Sequence, residues 1–171
     1  MSEDIRHAMV AMIPRLRAFA RSLAGSADAA DDLVQATCER ALRNVESWQP
    51  GTRLDSWMFR IMRNHWIDVW RARRPETPLG DPDAGYDIAG EDGAATAESR
   101  LMLGSVMGHV QALPEDQRSV LVLVCVEGLS YREAAGVLDV PIGTVMSRLA
   151  RARKAVADAM DGGVAAAGGA R

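Results

Sequence analysis

The sequence predicts an all-α protein of two small helical domains joined by a flexible acidic linker. Three observations carry this expectation. Apolar residues recur at three- and four-residue steps in both halves of the 171-residue chain. The stretch between them, Pro75 to Ser99, holds 3 Pro, 4 Gly and 7 acids and has no periodic apolar face. The run with strand composition, Val120 to Val126, finds no partner strand in either half, so it is assigned to a helix ended by Gly128. The expected division is a first helical domain over 1–75, the linker over 76–98, a second domain over 99–160 and a frayed Gly/Ala-rich tail over 161–171.

The elements follow in order. Ile5, Met9, Met12, Leu16, Phe19 and Leu23 mark a first amphipathic stretch, which Pro14 kinks or divides in two. A second helix follows Asp28, with Leu33, Val34, Cys38, Ala41, Leu42 and Val45 on its inner face, and Gln49-Pro50-Gly51 breaks it off. A third runs from about Asp55 to Arg73. Past the linker, Leu103, Val106, Met107 and Val110 mark a fourth helix, and Pro114 opens a fifth. Ser130-Tyr131-Arg132-Glu133 is a capping box that starts a short helix, Asp139-Val140-Pro141 turns the chain, and another helix begins near Gly143.

Composition narrows the function. The chain is 48% hydrophobic and 25% charged, ordinary values for a folded globular protein. No stretch reaches the length of a membrane span, and Met1-Ser2-Glu3-Asp4 is acidic where a secretory signal is basic, so a cytoplasmic location without membrane insertion is expected. Cys38 and Cys125 stand far apart without clustered ligands, which leaves no support for a disulfide framework, a zinc site or another cofactor. The net charge of -3 hides an uneven distribution. Residues 1 to 75 carry 12 Arg against 9 acids, residues 76 to 100 carry 1 Arg against 7 acids, and residues 101 to 171 are balanced at 7 and 7. Polyanion binding follows local potential, so this total does not exclude a nucleic-acid partner.

Helical-wheel geometry at about 100° per residue sorts the third helix into stripes, with Arg60 at zero. Leu54, Met58, Ile61, Met62, His65 and Val69 form an inward face; Phe59, Trp66 and Trp70 form an aromatic stripe; Arg60, Arg63, Asn64, Arg71 and Arg74 form a cationic one. Cations that track phosphates beside rings that stack on bases suit single-stranded or melting nucleic acid. The plain alternative is a core extended by the aromatics beside a solvated cationic face. In the final helix Val145, Leu149, Ala152 and Val156 face inward, opposite Thr144, Ser147, Arg148, Arg151 and Lys154. After a helix and a turn, such a face suits a major groove, where Arg reads guanine and Ser or Thr contacts base edges or phosphate.

Leu129 to Arg153, LSYREAAGVLDVPIGTVMSRLARAR, closely resembles region 4.2 of the extracytoplasmic-function sigma factors of bacterial RNA polymerase. DAADDLVQATCERAL and DSWMFRIMRNHWIDVWRARR resemble their region 2, in the same order, with the linker where theirs falls. IPRLRAFARSLAGSADAADDLVQ and the QPGT loop are similar to the alphaproteobacterial general-stress subgroup. The resemblance implies that Asp31, Asp32 and Gln35 bind the clamp of core RNA polymerase. It further implies that the third helix and its preceding loop, with Arg53, Arg60, Arg63, Asn64, Trp66, Trp70 and Arg71, capture and open the minus-ten promoter element. Thr144, Ser147, Arg148, Arg151 and Lys154 then read the minus-thirty-five element. Met146 departs from the family pattern, which frequently has a basic residue there, and Cys38 stands where an apolar residue is common.

Other residues take bland readings. His65 is expected to be a satisfied core histidine, and His7 and His109 lack partners at metal-ligand spacing. Adjacent Asp31 and Asp32 diverge by about 100° on a helix and do not chelate together, and no catalytic constellation emerges. The chain is therefore expected to be a non-enzymatic sigma factor. A free-standing helix-turn-helix regulator and a helical protein-only adaptor are the competing classes. Control is expected from a separate anti-sigma factor that holds both domains compact, covering Asp31 to Gln35 and Thr144 to Lys154, because the chain carries no sensory domain of its own. Self-inhibition by the acidic linker is the competing idea.

Overall fold

The computed structural model describes residues 3–73 and 106–167. The linker and Leu103 lie outside the described residues. Within them the chain is helical, with no strand.

The first amphipathic stretch is two helices, α1 (Glu3–Ala11) and α2 (Ile13–Ala24). Pro14 sits in the first turn of α2, where its missing N–H costs nothing, so it starts a helix rather than kinking one. Gly25 takes the left-handed conformation that ends α2, at φ 73°. The next helix, α3 (Ala27–Arg43), begins before the expected Asp28, because the Ser26 hydroxyl accepts from the Ala29 N–H and caps it. Its inner face is Ala30, Leu33, Val34, Thr37 and Ala41; Leu42, expected inside, is exposed, and Cys38 is half-buried. A short 3₁₀ turn (Val45–Ser47) leads to the long α4 (Leu54–Arg73).

The second half contains α5 (Val106–Gln111), α6 (Glu115–Leu121), α7 (Tyr131–Leu138) and α8 (Ile142–Ala167). The strand-like run is helical, as expected: Val122–Val126 continues α6 as a wider π turn, and Gly128 ends it at φ 70°. Asp139 closes α7 in the same left-handed conformation, at φ 54°. The tail is more helical than expected, since α8 continues through Val164-Ala165-Ala166 to Ala167, and alanine has the strongest helix propensity.

The two halves do not stand apart. One core runs through both, from Leu16, Phe19, Met58 and Met62 in the first to Val120, Leu123, Val137 and Leu149 in the second. Helix α2 packs on α6, and α4 packs on α7. Each half alone is near the lower size limit for a stable core, and pooling apolar surface eases that limit. Phe59, placed with the aromatic stripe by the wheel, is fully buried against Phe19, with ring centroids 5.3 Å apart and an edge meeting a face.

Candidate nucleic-acid interface

Polar contacts fasten the halves beside the shared core. Arg15 of α2 donates from Nε to Glu127 Oε2 at 2.6 Å, and from Nη2 to the Glu127 carbonyl at 3.2 Å and to Asp55 Oδ2 at 3.0 Å. Its guanidinium also lies 5.6 Å from the centre of the Phe59 ring. Arg53 grips Asp55 with Nε and Nη2, and its Nη1 reaches both Glu133 carboxylate oxygens at 3.1 Å. Glu133 is the capping-box residue of α7, so one carboxylate caps a helix and binds across the chain. Buried Arg118 donates to the Ser22 carbonyl at 2.6 Å, and to those of Gln111 and Leu113.

The electrostatics follow from this geometry. Burial of Asp55 favours its neutral form, but hydrogen bonds from Arg53, the Ser56 N–H and Arg15 outweigh it and lower the pKa to about 2. Desolvation pulls the Arg118 pKa down while Glu115 opposes it. The Glu133 carboxyl is held below its ordinary range by Ser130 and then by Arg53.

This arrangement sets what α4 presents. Met58, Phe59, Met62 and Asp55 are its buried residues, so the inward face is rotated by about 60° from the predicted one, toward the aromatic stripe. Part of the cause is α2, whose Phe19 and Arg15 meet the Phe59 ring, and α7 packs on α4 as well. Trp66 packs partly on the core, and with Trp70, Arg63 and Arg71 it lines a cleft closed on the far side by Leu138 and Arg148. Arg60 and Asn64 are exposed. The Arg63 Nε is buried and makes no hydrogen bond among the described residues. Arg53 is committed to carboxylates of the chain itself. His65 is half-buried rather than a satisfied core residue: its Nδ1 has no partner among the described residues, and desolvation, then Arg40, lowers its pKa.

Helix α8 agrees more closely with its wheel. Val145, Leu149 and Ala152 are buried, and Ser147, Arg151 and Lys154 are exposed. The Ser147 hydroxyl donates to the Thr144 carbonyl, and Lys154 pairs with Asp158. Arg148 departs from the expected outer face: its side chain is only 12% exposed and pairs with Asp116 at 3.2 Å. On α3, Asp31, Asp32 and Gln35 are all exposed; Asp31 pairs with Arg17, and Gln35 bonds Glu39. Sequence reasoning missed Arg15, Arg118 and Glu127, and it missed the bond of Glu133 to Arg53. Only the capping-box role of Glu133 had a local signal, because the Arg15–Glu127 partners lie 112 residues apart.

Among the described residues no group of His, Cys, Asp and Glu has a metal-binding arrangement, and no helix is long and apolar enough to cross a membrane. The family model for Sigma-70 region 2 matches residues 9–76, and that for Sigma-70, region 4 matches residues 105–156. The ECF RNA polymerase sigma factor EcfG of Rhodopseudomonas palustris (strain TIE-1) is 40% identical over 153 residues, which covers 90% of this chain and 83% of that protein. The sigma factor RpoE of Bartonella quintana, solved in complex with the anti-sigma factor NepR, has a TM-score of 0.70 at 28% identity, covering 94% of this chain and 98% of that one. CnrH, solved in complex with the cytosolic domain of CnrY, has a TM-score of 0.64 at 27% identity, covering 91% and 86%. The chain belongs to the extracytoplasmic-function sigma factors of bacterial RNA polymerase.

Proposed function

We propose that this sigma factor binds core polymerase through the exposed Asp31, Asp32 and Gln35 of α3, opens the minus-ten element with α4, and reads the minus-thirty-five element with the outer face of α8. The observation that carries this division is the presence, in one chain, of an Arg/Trp stripe on α4 and a separate polar, cationic face on α8. A regulator that only reads duplex DNA has no use for stacking rings. The residues expected to meet the minus-ten element are Arg60, Arg63, Asn64, Trp66, Trp70 and Arg71. Arg53 joins them once it leaves Glu133.

Residues 1–75 and 99–160 act as the two promoter-reading units, with 76–98 as their tether. The closed arrangement is the resting form. Parting α4 from α7 opens the cleft and sets the two faces at promoter spacing on the polymerase scaffold, where tethered sites reinforce each other. An anti-sigma factor holds the chain closed, in line with the solved complex of RpoE with the anti-sigma factor NepR, and stress relieves it. The protein works in the cytoplasm, needs no cofactor and leaves catalysis to the polymerase.

The test adds the full chain to core polymerase on a genomic template and sequences the transcripts. New start sites sharing two upstream sequence blocks are expected. Nanomolar, sequence-specific duplex binding by the chain alone, with no redirection of polymerase, would overturn the proposal in favour of an operator-binding regulator.

A further inference from the structure

The cleft between α4 and the second half brings unpaired cations and indole rings into one enclosure. Arg63, Trp66, Trp70 and Arg71 line it from one face of α4, and Leu138 and Val140 line the far wall beside the turn between α7 and α8. Its volume is about 290 Å³, at the small end of the range for ligand sites. The other arginines of the closure are committed: Arg15, Arg53, Arg118 and Arg148 each meet an acceptor within the chain. Arg63 and Arg71 form no ion pair among the described residues, and the Arg63 Nε is buried without an acceptor. The acids nearest them are taken, since Glu115 accepts from the Ser119 hydroxyl and Asp116 pairs with Arg148. Asp139, at the rim, is exposed.

We infer that this cleft binds a free nucleoside monophosphate, with its base against Trp66 and Trp70 and its phosphate on Arg63 and Arg71. The inference rests on the closed resting form proposed above. Two features fix the ligand class independently. Indole rings stack on the π-face of any base, and Leu138 and Val140 supply an apolar cover for its other face. Guanidinium forks without carboxylates select the oxygens of an anion, and a phosphate offers several. Asp139 adds an acceptor for a base N–H at the rim. A cleft of this volume takes one nucleotide and has no room for a strand or a duplex. Both halves contribute its walls, so the ligand binds the closed form and not the parted one, and it draws the population toward closure. It thereby occupies the same side chains that are proposed to meet the minus-ten element.

The experiment is calorimetric titration of the full chain with AMP, GMP, CMP and UMP, and with inorganic phosphate as the ringless control. At least one nucleotide is expected to bind about tenfold more tightly than phosphate, the fold-change that one stacked base gives, and to raise the unfolding midpoint as it is added. Trp70→Ala and Arg71→Gln are each expected to weaken that binding about tenfold. Arg71 is exposed, so its variant keeps the fold. Nucleotides that bind no more tightly than phosphate would reduce the cleft to a plain anion site and overturn the inference, as would full-strength binding in both variants. The distance between spin labels on α3 and α8, measured without ligand, checks the closed form itself. An open chain removes the closed form and this inference together, whereas a closed chain that binds no nucleotide removes the inference alone.

Discussion

Helices α4 and α8 both carry cationic faces, yet the inward face of α4 is rotated by about 60° from its wheel, and that of α8 falls where the wheel puts it. The difference lies in where each helix finds its neighbours. Helix α8 packs chiefly on α5, α6 and α7, which adjoin it in sequence. Helix α4 packs on α2 and α3 from one side and on α7, from beyond the linker, on another. A wheel drawn from one helix does not show which neighbours close on it, and the buried arc of α4 reaches Phe59 because Phe19 of α2 packs there. The same packing puts Trp66 and Trp70 beside a cleft and leaves Ser147 and Arg151 exposed, so it covers the proposed melting face more than the proposed reading face.

Breaking the closure is the most direct way to erase this asymmetry. Glu127→Ala removes a buried carboxylate and leaves the Arg15 guanidinium short of its 2.6 Å partner. A loss of about 1 to 2 kcal/mol in unfolding free energy is expected, between a surface pair and a fully buried one, because Arg15 is 36% exposed and keeps Asp55. Urea denaturation measures it, and a loss below about 0.5 kcal/mol, the scale of a surface pair, would mean that the Arg15–Glu127 pair does not help to hold the halves together.

The next effect sharpens the comparison on the α4 side. Trp70→Ala is expected to slow promoter opening by removing stacking worth about 1 to 3 kcal/mol per base, with initial binding nearly unchanged. Permanganate reactivity on duplex and pre-melted promoters separates the two steps. If pre-melting gives the variant no relief, Trp70 serves packing and not bases. Arg60→Ala, in contrast, should weaken binding across promoters and reduce its logarithmic salt dependence by about one unit, the share of one phosphate contact.

The sequence made the helices, the turn and the capping box legible, because each has a local cause. Ser130 and Glu133 are three residues apart, and Pro14 and Gly128 act on their own backbone. It also placed Ser147 and Arg151 on an outer face. It did not reveal that Phe59 is core, that Arg53 spends its fork on Asp55 and Glu133, or that Arg148 turns to Asp116. Each of these depends on a partner set by the meeting of elements distant in the chain, and no periodicity encodes that meeting. His65 was misread for a related reason: an apolar face in sequence does not show whether a polar atom within it finds a partner.

The smallest expected effect isolates one charge of the closure. Glu133→Gln keeps a side chain able to cap α7 but removes the charge facing Arg53, at a cost of about 0.5 kcal/mol for a contact this exposed. Its pH dependence gives the sharper test. The folded Glu133 carboxyl titrates below its ordinary value of 4.5, held there by Ser130 and then by Arg53. A carboxylate with a depressed pKa contributes stability that is whole above the ordinary value and is lost as pH falls through the folded one. The stability difference between wild type and Glu133→Gln should therefore be constant above pH 4.5 and shrink below it. Asp55 sets the contrast: with its pKa at about 2, its bonds to Arg15 and Arg53 should persist after the Glu133 contribution has gone. Urea midpoints of both proteins, measured from neutral pH down to the ordinary aspartate value of 3.8, follow the first loss while Asp55 remains ionised. A difference that stays flat over that range would show that the charge of Glu133 contributes nothing to stability, whether through its cap on α7 or through Arg53.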